Sequence, residues 1–318
     1  MAKLDKIHDE LMRRGYLHEC LSLGNQNYCR YTARNQWKWL TRENVWDFPF
    51  IPLAVRQISK NKLLSYYFAD QHDIPTPPTI FSNDKNEIEK FILSNNEVIA
   101  KPLDKGGSVG VIRNLRSADD VNKLYENGQC TEKLIFQKYF RGEEIRMTVL
   151  NGKVFSTVHR ASPCVVGDGV NTLEKLVEKE NSLRLQLKHL AVPYPPLSPD
   201  YENIKMNPQM VIDREKRVKL YDASMIRDGA SVYGVSEEVH STFLTIAKKL
   251  ATDLDSKMLV IDLIVQDFTK PAHEQEYTFL EFNTAPSIGM YYSLRGGDKP
   301  DIVTQLVDMI DEYAYNNT

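Results

Sequence analysis

Residues 260–290 read VIDLIVQDFTKPAHEQEYTFLEFNTAPSIGM. Two apolar runs, 258–266 and 277–283, flank a polar turn containing Pro271, and this predicts two β-strands. Strand alternation carries Glu281 and Asn283 to one face. If the strands pair, Asp262 joins them and three hard oxygen donors share a patch. Such a set suits Mg²⁺, which takes a few carboxylates and completes its shell with phosphates and water. The competing reading is the outward polar face of an amphipathic sheet. Val260-Ile261 before Asp262 and Phe279-Leu280 before Glu281 speak against simple exposure. A carboxylate buried without a cation costs several kcal/mol.

Further back, residues 98–111 read VIAKPLDKGGSVGV. A lysine, Lys101, ends an apolar strand and precedes a turn with Gly106, Gly107 and Gly110. Backbone N–H groups in such a turn can approach phosphate oxygens closely. A glycine-rich hairpin with a surface lysine would look the same, and the Walker A order is missing. Between these blocks, residues 134–150 read LIFQKYFRGEEIRMTVL. An apolar strand runs into a connector that can meet an adenine edge. Glu144, seven residues after Gln137, can accept ribose hydroxyls, although Glu143, Glu144 and Arg146 also fit a solvated charged strand.

Working outward, the pattern predicts helices over 3–14, 53–72, 117–126, 171–189, 237–254 and 298–314. The first places Leu4, Ile7, His8 and Leu11 on one face, and Ser117 opens the third. Strands are expected at 98–101, 109–113 and 134–140, with a hairpin of 144–150 and 153–160 turning at Asn151-Gly152. Residues 15–49 are rich in aromatic and polar types and give no clear period. Trp37, Trp39 and Trp46 there are expected to pack against the body. Strands mixed with helices without βαβ alternation predict an α+β fold with antiparallel sheets. The 318 residues carry a formal net charge of -3, with 42% hydrophobic and 26% charged residues. That balance gives no pull toward nucleic acid or an anionic membrane. The N-terminal stretch MAKLDKIHDELMRRGYLHEC lacks an apolar signal core. Cys20, Cys29, Cys130 and Cys164 form no CxxC and are read as reduced thiols, so a cytoplasmic location is expected.

In their order along the chain these signals resemble the ATP-grasp superfamily. The likeness is to the ligase domains of cyanophycin synthetase and bifunctional glutathione synthetase. Residues 60–78, KNKLLSYYFADQHDIPTPP, resemble that group's DKxxTxxLLxxxGVPVP. Residues 142–181, GEEIRMTVLNGKVFSTVHRASPCVVGDGVNTLEKLVEKEN, resemble GxDYRxxVxxGKVVAxxxRxPAxVxGDGxxTxxELIxxxN. Residues 260–290 resemble GIDIxxxDxxKPxxxxxxxxxEVNxAPGLxM. The likeness spans roughly 45–315.

The resemblance implies an ATP-dependent carboxylate–amine ligase that forms an amide or peptide bond through an acyl phosphate. The implied substrate is an amino acid or short peptide; a modifier of peptides or proteins and a non-catalytic nucleotide-binding module are the alternatives. By the same likeness Lys62 and Lys101 hold the ATP phosphates, and the loop with Lys105, Gly106, Gly107 and Ser108 covers them. Gln137, Lys138, Tyr139 and Phe140 meet adenine, and Glu144 meets the ribose. Asp262, Glu281 and Asn283 hold Mg²⁺, expected as two ions with Mn²⁺ as a substitute. Arg146 and Arg160 face the reacting carboxylate, and Arg295 reads a substrate carboxylate. Expected lobes are 1–75, 76–137 as a lid, and 138–318; a homodimer is one assembly the sequence permits. The chain departs from the group in Gln137 for a glutamate and Tyr291 for a histidine. Residues 220–231, LYDASMIRDGAS, replace LRxxANxSTGG, with Met225 at the asparagine position and Ala230 at the second glycine. That change implies a substrate other than those of cyanophycin or glutathione synthesis.

Overall fold

The computed structural model describes residues 5–23, 26–33, 36–42, 48–130, 133–201, 204–205 and 207–316. The chain opens with helix α1 (Asp5–Arg13), which buries Ile7 and Leu11. The ambiguous stretch after it forms an antiparallel meander, β1 (Leu17–Leu23), β2 (Gln26–Ala33) and β3 (Gln36–Arg42). Polar and aromatic residues alternate there too irregularly for the period to show in sequence. The expectations for Leu4, for Trp37, Trp39 and Trp46, and for the thiols of Cys20 and Cys29 fall outside the described residues.

The helix expected over 53–72 is two, α2 (Leu53–Ser59) and α3 (Lys62–Gln71). Asn61 breaks it, because its side chain accepts from the backbone N–H groups of Leu63 and Leu64 and so caps a new start. The break places Lys62 at the first position of α3, where its own N–H donates to the Leu103 carbonyl at 3.3 Å.

A four-stranded antiparallel sheet follows, ordered β4-β7-β5-β6. It comprises β4 (Thr79–Ile80), β5 (Val98–Pro102), β6 (Ile112–Leu115) and β7 (Leu134–Lys138). Helix α4 (Lys85–Asn95), absent from the sequence reading, and α5 (Ala118–Glu126) cover one face. Ser117 and Asp120 cap α5 reciprocally, as a box. Ile88, Ile92, Val98, Val121, Leu124 and Phe136 lie in a core of this unit's own. β6 starts three residues later than expected because the turn before it takes positive φ at Gly107, Ser108 and Gly110.

A five-stranded antiparallel sheet forms the body. In chain order this region comprises β8 (Glu143–Leu150), β9 (Lys153–Ala161), β10 (Cys164–Val166) and β11 (Arg217–Lys219), which among the described residues pair only with each other, then β12 (Ser231–Gly234), β13 (Met258–Val265) and β14 (Tyr277–Asn283). The order of the sheet is β12-β9-β8-β13-β14. The β8–β9 hairpin turns at Asn151 and Gly152, with φ of 46° and 73°, the primed geometry that matches strand twist. One sheet face, with Ile145, Met147, Val149, Ile261 and Leu263, is fully buried in the main core. Helices α6 (Leu173–Gln186), α7 (Ser241–Asp253), α8 (Ile288–Tyr291) and α9 (Ile302–Asn316) complete the body. Residues of α1, α2 and α3 share its core, whereas α6, β10 and the loops around 197–220 form a third cluster. The body's other sheet face is polar, and there the chemistry collects.

Candidate functional site

Cross-strand register builds the site. Asp262 on β13 stands opposite Arg146 on β8 and opposite Glu281 on β14. Glu144, two residues before Arg146, stands opposite Arg160 on β9. Period-two alternation therefore puts Glu144, Arg146, Arg160, Asp262, Glu281 and Asn283 on one face. The glycine loop and the end of β5 overhang this face and close a cavity of about 840 Å³, within the usual range for small-molecule sites.

Lys62, Lys101, Lys105, Gly106, Gly107 and Ser108 line the cavity on the overhanging side. Tyr139 and Phe140 line it at the connector after β7. Glu144, Arg146, Arg160, Glu281 and Asn283 line its floor. Lys101 is 5% exposed, and its Nζ donates to the Tyr66 hydroxyl at 2.8 Å. Burial pushes its pKa down to about 8, although Glu281 and Glu144 pull upward. Burial likewise lowers Lys62, whose Nζ donates to the Lys105 carbonyl. Burial raises the Glu144 carboxyl, against the pull of Arg160, which donates to it.

Four expected residues lie elsewhere. Gln137 is buried and donates to Thr79 Oγ1 at 2.9 Å, tying β7 to β4. Lys138 is exposed at the end of β7. Arg295 does not line the cavity; it binds Glu180 and donates to Ser231 Oγ at 2.9 Å, with its guanidinium 5.5 Å from the Tyr194 ring centre. Asp262 is fully buried beneath the floor, and Arg146 holds both its oxygens, at 2.6 and 2.5 Å. Burial disfavours charge on Arg146, but the Asp262 carboxylate more than offsets this and keeps it charged.

The expected metal trio is thus divided. Among the described residues no group of three or more His, Cys, Asp or Glu side chains is placed to hold a metal ion. Glu281 and Asn283 do present oxygens to the cavity, with Asn283 Nδ2 3.3 Å from Glu281 Oε1. Two hard oxygen donors lining one cavity fit Mg²⁺, which takes few protein ligands and draws the rest of its shell from phosphate and water. Asp262, fully buried and held by Arg146, does not line the cavity with them.

The cavity also holds residues that the sequence reading passed over. Arg113 reaches it from β6, and Asp222, Ser224 and Arg227 reach it from the 220–231 stretch. Burial raises the Asp222 carboxyl while Arg113 lowers it. Their signal in sequence was the departure of that stretch from the related pattern, which marked a changed loop without saying what it faced.

Residues 61–167 match the family described as prokaryotic glutathione synthetase, ATP-grasp domain. A cyanophycin synthetase from Crocosphaera subtropica is 23% identical over 250 residues, covering 74% of this chain. The chain spans only 28% of the length of that relative. The bifunctional glutathione synthetase from Pasteurella multocida superposes with a TM-score of 0.67 at 16% identity, over 96% of this chain and 43% of that one. A RiPP-associated ATP-grasp ligase from Chryseobacterium gregarium, solved with ADP and a leader and core peptide, superposes with a TM-score of 0.52 at 13% identity. That likeness covers 98% of this chain and 93% of the other. Together these likenesses show that the chain has the ATP-grasp fold.

Proposed function

We propose that the chain is an ATP-dependent carboxylate–amine ligase that activates a carboxylate as an acyl phosphate and releases ADP and phosphate. The observation that carries this reading is that one cavity sets lysines and a glycine loop against arginines and against the oxygen donors Glu281 and Asn283. A carboxylate repels the phosphoryl group it must attack, so cations on both sides are needed to offset the charge and align the attack. Lys62 and Lys101 hold the phosphates under the glycine loop, Tyr139 and Phe140 flank adenine, and Glu144 accepts from the ribose. Arg160 and Arg146 face the reacting carboxylate. Glu281 and Asn283 would hold Mg²⁺, which would supply positive charge against the phosphates; the reading takes two ions, with Mn²⁺ as a substitute. Residues 76–137 act as a lid that closes over the nucleotide. The reading places the protein in the cytoplasm.

The substrate carboxylate belongs to an amino acid or a peptide. A peptide or protein target is favoured by the whole-length likeness to the Chryseobacterium ligase, which was solved with a leader and core peptide. The test incubates the protein with ATP, Mg²⁺ and pooled amino acids and short peptides. Release of ADP and phosphate that depends on an added amine supports ligation. ATP binding with no release under any pool refutes it and leaves a nucleotide-binding module.

A further inference from the structure

The arginines of the cavity are not equally committed. Arg146 is held by Asp262, and Arg160 by Glu144. Arg227 has only a loose carboxylate neighbour, Asp228, at 3.8 Å. Its Nη2 instead donates to the carbonyl of Gly107, on the glycine loop. Lys62 makes the same kind of contact, to the carbonyl of Lys105. Two cations from distant parts of the sequence therefore grip carbonyls two residues apart on one loop. A phosphate oxygen carries charge and is a stronger acceptor than a neutral carbonyl. A cation that reaches one of these carbonyls is placed to transfer to a phosphate lying beneath it.

Arg227 is presented by a built support. Ile226–Asp228 form one 3₁₀ turn, closed by Gly229 at φ 97°. A Cβ at Gly229 would stand 2.6 Å from the Tyr201 hydroxyl, so this position admits only glycine without a shift. Tyr201 donates to the Asp228 carbonyl at 3.2 Å, and the buried Arg184 donates to the Gly229 carbonyl at 2.8 Å. Arg184 and Arg295 share Glu180. Arg295, expected to read substrate, thus belongs to the anchor of this turn. In the LRxxANxSTGG pattern, Arg227 falls where a serine is usual, so its charge comes with the altered loop of this chain.

We propose that Arg227 is a further catalytic residue, whose guanidinium binds the terminal phosphate of ATP and stays with it during transfer. The step rests on the ligase reading above. A substrate carboxylate oxygen forms a bond to the γ-phosphorus while the bond from that phosphorus to the β,γ-bridging oxygen breaks, and the electron pair leaves with ADP. No proton moves, so the transition state gains from a fixed cation and needs no base.

The experiment measures ATP and ADP affinity by calorimetry, with Mg²⁺, for the wild type, Arg227→Ala and Arg227→Lys. The expected result is a loss of ATP affinity of about ten- to a hundredfold in Arg227→Ala, with ADP affinity and melting temperature unchanged. Arg227→Lys recovers part of the loss, since it restores charge without the planar fork. Equal weakening of ATP and ADP would show that Arg227 only fastens the glycine loop, and overturns the proposal. No weakening of either overturns it too. A wild-type protein that binds neither nucleotide refutes the reading of the cavity itself, and this proposal with it.

Discussion

Replacing Lys101 by methionine is expected to stabilise the ligand-free protein while abolishing nucleotide binding. Lys101 is buried at the end of β5 with the Tyr66 hydroxyl as its hydrogen-bond acceptor. Moving its pKa from the usual 10.5 to about 8 corresponds to about 3 kcal/mol of unfavourable charge burial, at ~1.36 kcal/mol per pH unit. This cost is already net of attraction to Glu281 and Glu144. Methionine fills similar volume without charge, and Tyr66 keeps Gln137 as a partner. The variant should melt roughly 5 °C higher at pH 7. The sign with pH follows from linkage. Below pH 8 the lysine is charged in both folded and unfolded chains, so the full cost is present. Above 8 the folded protein releases the proton first, and the difference shrinks, vanishing near 10.5. Thermal melts of both proteins from pH 6 to 11, with and without ATP, provide the assay. A variant no more stable than wild type at pH 7, or a difference that does not close with rising pH, refutes the assignment of Lys101 as a strained functional cation.

Three other outcomes follow from the same geometry. Glu281→Ala should abolish turnover by loss of Mg²⁺ while leaving the melting temperature close to wild type; unchanged activity would remove Glu281 from the metal site. Asp262→Ala should cost about 3–5 kcal/mol by denaturant titration, because it leaves Arg146 charged and unpaired on a buried face. A cost under about 1 kcal/mol would mean that the pair is open to water. Ser117→Ala removes the capping box of α5 and should destabilise the β4–β7 unit by about 1 kcal/mol, visible as faster hydrogen exchange in α5 and unchanged exchange in β13.

The strands that carry the chemistry were legible because they are short apolar runs bounded by polar turns. Residues 258–265 are apolar apart from Asp262, 277–283 carry Glu281 and Asn283 two positions apart, and the observed β13 and β14 follow these bounds. The Asn151-Gly152 turn likewise declares itself locally. Helix α4 escaped notice, since its sequence KNEIEKFILSN buries just Ile88 and Ile92 and shows a weak stripe. Asn61 inside an otherwise helical run reads as a tolerated polar residue until its capping bonds are seen. Site composition divides the same way. Glu281 and Asn283 could be placed by alternation, but the capture of Asp262 by Arg146 depends on register between strands 116 residues apart. The contacts of Arg295 and Arg227 were hidden for a similar reason: nothing local says that the first meets Glu180 and the second meets Gly107.

Among the described residues three hydrophobic clusters support the molecule, and the cavity takes its lining from the β4–β7 unit, the main sheet and the 220–231 loop. A cluster that packs internally can open on its own, so without nucleotide the β4–β7 unit and the α6 region should exchange amide hydrogens as separate cooperative blocks. A nucleotide held at once by Lys101, by the floor of the main sheet and by the 220–231 loop would tie those blocks together. The ligand then acts as a missing piece of core, converting staggered local openings into one shared transition.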